Sequence, residues 1–138
     1  MNAPVLITDN ITELLVKIIT FTQKRQSVLT RNINNMTNPD YFPADLQVNE
    51  FSDLLNYAID EHARNRRLVL CDTESIKFGR EGAFEALPVK DTSAKELLDT
   101  NPDEYLEQQI NKLLENAINR RVAETLLMQK DGTITAFE

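Results

Sequence analysis

Cysteine, histidine and glycine are scarce in this chain, and each scarcity closes a route. The single cysteine, Cys71, allows no intrachain disulfide. It follows Leu68-Val69-Leu70 and reads as a small buried hydrophobe. The single histidine, His62, stands beside Asp60 and Glu61, but one imidazole without cysteines or spaced carboxylates is a poor metal site. No metal and no cofactor is assigned. Three glycines and five prolines are too few for a low-complexity or collagen-like chain. There is no glycine-rich phosphate loop, no G-x-S-x-G and no C-x-x-C. No catalytic residue is assigned, and an enzyme would have to use Asp60, Glu61 and His62. No apolar run reaches the length of a membrane span, so membrane insertion is not expected. The N-terminus has no basic n-region, and Asp9, Asn10 and Glu13 soon interrupt its apolar residues. A Sec signal peptide is therefore not expected.

Basic side chains are the minority, 15 against 22 acidic, giving a formal net charge of −7. An acidic surface repels phosphate, so nucleic acid is not an expected partner. The one local basic run, Arg64-Asn65-Arg66-Arg67, suits a solvated helix end, where cations favour the dipole.

What the chain does have is helical periodicity at both ends. Forty-one per cent of the 138 residues are apolar, enough for the core of one domain spanning 1–138. An N-terminal helix is expected over 10–36, with Asn10 as cap and Glu13 completing a capping box. Its stripe is Ile11, Leu14, Leu15, Ile18, Phe21, Val28, Leu29, Ile33 and Met36. Asn38-Pro39 ends it. A loop of about 38–47 leads to a shorter helix over 49–67, with Phe51, Leu54, Leu55, Ala58 and Ile59 in helical spacing. Leu68 to Cys71 is ambiguous between helix and strand. Residues 72–100 read as an irregular connection, with room for one hairpin around Gly79–Gly82 and a helical turn over Ser93–Leu98. A C-terminal helix is expected over 102–130. Asn101 is its cap, Pro102 its first residue and Glu104 its capping-box partner. Its stripe is Leu106, Ile110, Leu113, Leu114, Ala117, Ile118, Val122 and Leu126, and Asp131-Gly132 stops it. The tail from Thr133 is expected to pack locally or on a neighbour.

The fold class that follows is all-α. Two long terminal amphipathic helices pack as an antiparallel coiled-coil-like pair, with one shorter helix and an irregular central segment. The seam residues are Ile11, Leu15, Ile18 and Leu29 on one side, and Leu106, Ile110, Leu113 and Ala117 on the other. Charge order favours the antiparallel sense. It brings Lys24, Arg25 and Arg31 near Asp103, Glu104 and Glu107, and Asp9 and Glu13 near Arg120, Arg121 and Lys130. Exposed pairs contribute only about 0.2–1 kcal/mol each, so charge biases orientation while apolar contact holds the pair. Two helices make a thin core, and part of each stripe should stay available to neighbouring molecules.

The segment Leu29-Thr30-Arg31-Asn32-Ile33-Asn34-Asn35-Met36-Thr37-Asn38-Pro39-Asp40-Tyr41 resembles the N-terminal signature of flagellar basal-body rod proteins. Asn32, Ile33, Asn35, Pro39 and Tyr41 match, with Asn34 inside the motif. Asp45, Phe51, Leu54 and Leu55 look like the proximal-rod branch (FlgB type). Asn101, Asp103, Leu106, Glu107 and Asn116 fall where that branch's terminal helix begins and carries its internal Asn. Asp40 stands where the family usually has Gly. The resemblance covers roughly 14–60 and 99–130. It implies a structural, non-enzymatic subunit that self-associates helically in the periplasmic rod of the flagellar basal body, transmits torque and is needed for motility. It also implies export by the flagellar type III apparatus. The implied partners are other rod subunits, the rod-base adaptor FliE and that export apparatus. Without the family, the same motif is a well-made helix terminus in which Asn side chains satisfy open backbone groups. The alternative function is a helical-hairpin adaptor or regulator that binds a partner helix in its groove.

Overall fold

The computed structural model describes residues 9–79 and 84–130. The elements run in the order α1 (Asn10–Asn34), β1 (Ala44–Asp45), α2 (Val48–Asn65), β2 (Ile76–Phe78), β3 (Phe84–Ala86), β4 (Val89–Lys90), α3 (Thr92–Thr100) and α4 (Pro102–Lys130). The chain is mostly helical with a few short strands, which corrects the all-α expectation.

Local chemistry explains the element ends. Asp9, not Asn10, caps α1: its carboxylate accepts the Thr12 N–H at 2.9 Å. Asn10 lies inside the helix, and its amide reaches His62 Nδ1 at 3.1 Å on α2. At the other end the Asn35 amide donates to the Arg31 carbonyl at 2.9 Å, so α1 closes at Asn34, before Met36. In the turn that follows, the Tyr41 N–H donates to the Asn38 carbonyl at 3.1 Å and the Asp40 N–H to Asn38 Oδ1 at 3.0 Å. Among the described residues only Arg66 has positive φ outside glycine, so Asp40 holds this turn without a left-handed backbone. Asn101 caps α4 as its neighbours imply. Its oxygen accepts the Glu104 N–H at 3.2 Å, and its amide donates to Glu104 Oε2 at 3.1 Å.

The segment 72–100 is more regular than expected, and the hairpin and helical turn for which the sequence left room are both present. β2 and β3 form an antiparallel hairpin with Ile76 opposite Ala86 and Phe78 opposite Phe84. β4 pairs with β1, Ala44 against Lys90 and Asp45 against Val89. Asp91 then caps α3 by accepting the Ala94 N–H at 3.0 Å. Strands of two or three residues are too short to show an alternating pattern, and β1 finds its partner only through the fold. Leu68 to Cys71 neither extends α2 nor forms a strand. The helix stops at Asn65 because Arg66 takes a left-handed conformation, φ 56°, and its N–H closes on the His62 carbonyl. Cys71 is exposed, contrary to its expected burial: the chain has left the helix, so the apolar run no longer turns each residue inward. Gly82, the stop at Asp131-Gly132 and the tail from Thr133 lie outside the described residues.

The main core joins α1, α2 and the hairpin. Leu14, Phe21 and Val28 meet Phe51, Leu55 and Ala58, with Leu46, Ile76 and Ala86 completing the cluster. Phe21 and Phe51 stack in parallel with centroids 4.0 Å apart, and Phe78 and Phe84 extend the aromatic group. Each fully buried side chain of this kind contributes about 1.5–3 kcal/mol. A smaller cluster of Ala94, Leu98 and Tyr105 links α3 to the start of α4.

Helix α4 corrects the seam expectation. Its buried residues are Tyr105, Gln109, Asn116 and Ala123. Ile110 and Ala117 are exposed, while Leu106 and Leu113 are half-buried. On α1 the expected seam fares better: Leu15 and Leu29 are buried, and Ile11 and Ile18 pack half-buried against the main core. The cause lies in α1, which spends Leu14, Phe21 and Val28 on α2 and the hairpin. The flank left for α4 presents polar groups at Thr22, Gln26 and Asn32, which need hydrogen-bonding partners.

Candidate functional site

The motif residues divide sharply by role. Asn32 is fully buried and joins three parts of the chain. Its amide donates to the Ala44 carbonyl at 2.7 Å and to Gln109 Oε1 at 2.9 Å. Its oxygen accepts the Tyr41 hydroxyl at 2.7 Å and the Ala44 N–H at 3.1 Å. Its own backbone carbonyl accepts the Tyr105 hydroxyl at 3.1 Å. All four capacities of the side chain are thus used, which is what a buried amide requires. Burial pushes the Tyr105 hydroxyl up to about 12, with Tyr41 and Asp91 adding to the shift. Burial also raises Tyr41, against the opposing pull of Arg31. Asn35 serves the helix end, Ile33 is half-buried, and Asn34 and Pro39 are exposed. The structure therefore brings Asn32 and Tyr41 together as an internal clamp, and leaves Asn34 and Pro39 at the surface.

A charged clamp lies beside it. Arg25 grips Asp45 through two bonds, Nε and Nη2, each 2.9 Å. Lys112 of α4 approaches the same carboxylate at 3.6 Å and Asp91 at 3.1 Å. Arg25, Asp45, Asp91 and Lys112 thereby tie α1, β1, the α3 cap and α4 together. Arg25 is used here rather than against the acidic start of α4. Neither this network nor the buried amide contacts could be read in the sequence, because the residues come from separate segments. Asp45 and Asn116 appear there only as parts of a resemblance.

Polar contacts join α1 and α4 at several points along their length. Tyr105 and Gln109 meet Asn32. Asn116 donates to the buried Thr22 carbonyl at 2.7 Å, Arg120 reaches Gln26 at 3.0 Å, and Lys130 pairs with Asp9 at 3.0 Å. The Thr12 N–H and Lys130 hold the Asp9 carboxyl below its ordinary value.

The opposite face of α4 is the most distinctive surface. Leu114, Ile118 and Val122 are 59%, 63% and 52% exposed, with Ile110 and Leu126 beside them. Recurrence every four residues makes this a ridge that winds slowly around the helix. It borders an apolar groove of about 300 Å³ between α4, α1 and α2, reached by Val122 and Leu126 and floored by Leu15, Phe21 and Phe51. Clustered exposed apolar side chains are a common feature of interaction sites.

The residues considered for catalysis are engaged locally. Asp60 pairs with Arg64 at 3.1 Å, and Arg67 donates to Glu61 at 2.9 Å, which lowers the Glu61 carboxyl. His62 Nδ1 faces the Asn10 amide. The basic run thus neutralises its own helix end. Among the described residues, no group of three or more His, Cys, Asp or Glu is placed to hold a metal ion, and no helix is long and apolar enough to cross a membrane.

Comparison with known proteins returns no matching family model, no matching curated protein and no matching solved structure.

Proposed function

We propose that this chain is a structural subunit of the bacterial flagellar basal-body rod, of the proximal-rod kind that Asn32 to Tyr41 resembles. The observation that carries the reading is the outer ridge of α4: Tyr105, Gln109, Asn116 and Ala123 are buried toward its own chain, while Leu114, Ile118 and Val122 lie toward the outside. Such a helix is complete only when another molecule covers it. The two long helices then act as an antiparallel coiled-coil-like pair whose outer stripe is the assembly surface. Contacts between different faces of like or related subunits do not close on themselves and build a helical rod. In that rod the helices transmit torque, and the Asn32 and Arg25 clamps resist shear between them. Other rod subunits and the adaptor FliE are the neighbours, and the flagellar type III apparatus is the export route. A main core built from α1, α2 and a short hairpin, with only a small second cluster, suits a chain that must unfold for export.

The test is deletion of the gene with mass spectrometry of purified basal bodies. Loss of swimming, recovery of the chain in basal bodies, and failure of Ile118→Asp to restore motility are expected. A fully motile deletion strain, or basal bodies without the chain, ends the reading.

A further inference from the structure

The outer face of α4 carries a pattern finer than its apolar ridge. Glu107, Ile110, Leu114, Ala117 and Arg121 follow one another at steps of three, four, three and four residues, and all five are exposed. That average spacing of 3.5 is the seam of a helix that pairs with another helix. Ile118 lies beside the seam and is the most exposed apolar side chain of the ridge. Tyr105, Gln109, Asn116 and Ala123, buried toward the chain's own core, belong to the opposite face.

The seam is symmetric about Leu114. Ile110 and Ile118 stand four residues before and after it. Glu107 and Arg121 stand seven residues before and after it, two turns away in each direction, and so face nearly the same way. Neither Glu107 nor Arg121 forms an ion pair among the described residues, whereas neighbouring Arg120 is held by Glu124 and Gln26. Consider a second copy of α4 laid antiparallel, Leu114 on Leu114. Ile110 of each copy then meets Ile118 of the other, and Glu107 of each meets Arg121 of the other. Asp103, the next carboxylate outward, comes opposite Thr125 rather than another acid. A parallel copy would set Glu107 against Glu107 and Arg121 against Arg121. An antiparallel copy centred on Ile118 would separate Glu107 from Arg121. Charge complementarity therefore selects the antiparallel sense and the register, while the apolar side chains supply the contact.

We propose that the ridge of α4 takes a second copy of this chain, the two α4 helices antiparallel, with Leu114 at the two-fold axis and Glu107 paired with Arg121 on either side of it. The contact is isologous and closes at two copies. The free protein thus covers its own ridge. The inference stands apart from the rod reading; under that reading, rod neighbours displace the second copy from the same surface.

Analytical ultracentrifugation of the full chain at low salt tests it. The unaltered chain should show a monomer–dimer equilibrium with no larger species. Leu114→Asp sets two carboxylates at the axis and should leave only monomer; the position is well exposed, and circular dichroism verifies the fold. Arg121→Glu and Glu107→Arg should each weaken the dimer roughly tenfold, because symmetry applies every change twice. The variant carrying both substitutions exchanges the charges within one chain and should restore the dimer. In a parallel contact like still faces like in all three variants, so affinity that does not respond to them overturns the proposal. So does an unaltered chain that stays monomeric or grows beyond the dimer, or a double variant no tighter than the singles. The motility deletion decides the rod reading separately: a non-motile deletion with no dimer removes only this contact, and a motile deletion with a charge-exchangeable dimer removes only the rod.

Discussion

Asn116 donates its side-chain amide to the Thr22 carbonyl at 2.7 Å, fully inside the contact between α4 and α1. An extended apolar seam would have needed no such bond. Its presence means that α4 is located on its own chain by a few directional contacts, and that its apolar side chains are left for other work.

Asn32→Ala should destabilise the chain by roughly 2–4 kcal/mol, because it orphans the Tyr41 hydroxyl, both Ala44 backbone groups and Gln109 at once. Asn34→Ala, at an exposed position, should change stability by less than about 0.5 kcal/mol. Urea unfolding followed by circular dichroism checks both. Equal effects would show that the clamp carries no special stability.

Asp45→Ala should cost about 3–5 kcal/mol, since it leaves Arg25 buried without its carboxylate, and Arg25→Ala should cost less, since Lys112 remains 3.6 Å from Asp45. The side chains are only 6% and 15% exposed, so solvent screens the pair weakly. The double variant should cost distinctly less than the two singles added. Strict additivity would mean that the pair is not coupled.

Phe51→Ala should destabilise by about 3–5 kcal/mol by opening the aromatic core. Ile118→Ala, an apolar truncation 63% exposed, should change monomer stability by less than about 0.5 kcal/mol yet weaken assembly. A large loss of monomer stability from Ile118→Ala would mean that its face is covered within the chain.

Tyr105 should mark the alkaline limit of stability. Its folded hydroxyl titrates at about 12, above the ordinary 10.0, so the folded state holds the proton more tightly. That contribution is complete below pH 10 and is lost as pH rises through about 12. Unfolding free energy should therefore fall across this window, and fall less steeply in Tyr105→Phe. Identical slopes in the two proteins would rule out Tyr105 as the cause.

Much of the secondary structure was legible because helices advertise themselves locally. The start of α4 was marked by Asn101, Pro102 and Glu104, residues that act on their immediate neighbours. The hairpin was signalled only by glycines near its turn, and β1 with β4 not at all. Two-residue strands bury too little to impose a pattern, and their pairing spans more than forty residues. The motif at Asn32 was visible, but its role was not. A buried amide takes its meaning from partners that lie elsewhere in the chain.

The sequence by itself determined two amphipathic rods, the N-terminal cap of α4, the turn at Asn38-Pro39 and the acidic charge, because these follow from covalent geometry and interactions within a few residues. Only the tertiary structure decided which side of α4 faces inward. Periodicity reveals that a helix has an apolar stripe; it does not reveal whether that stripe meets the same molecule. Here the stripe of α1 was taken first by α2 and the hairpin, so the remaining flank demanded hydrogen bonds, and α4 answered with Tyr105, Gln109 and Asn116.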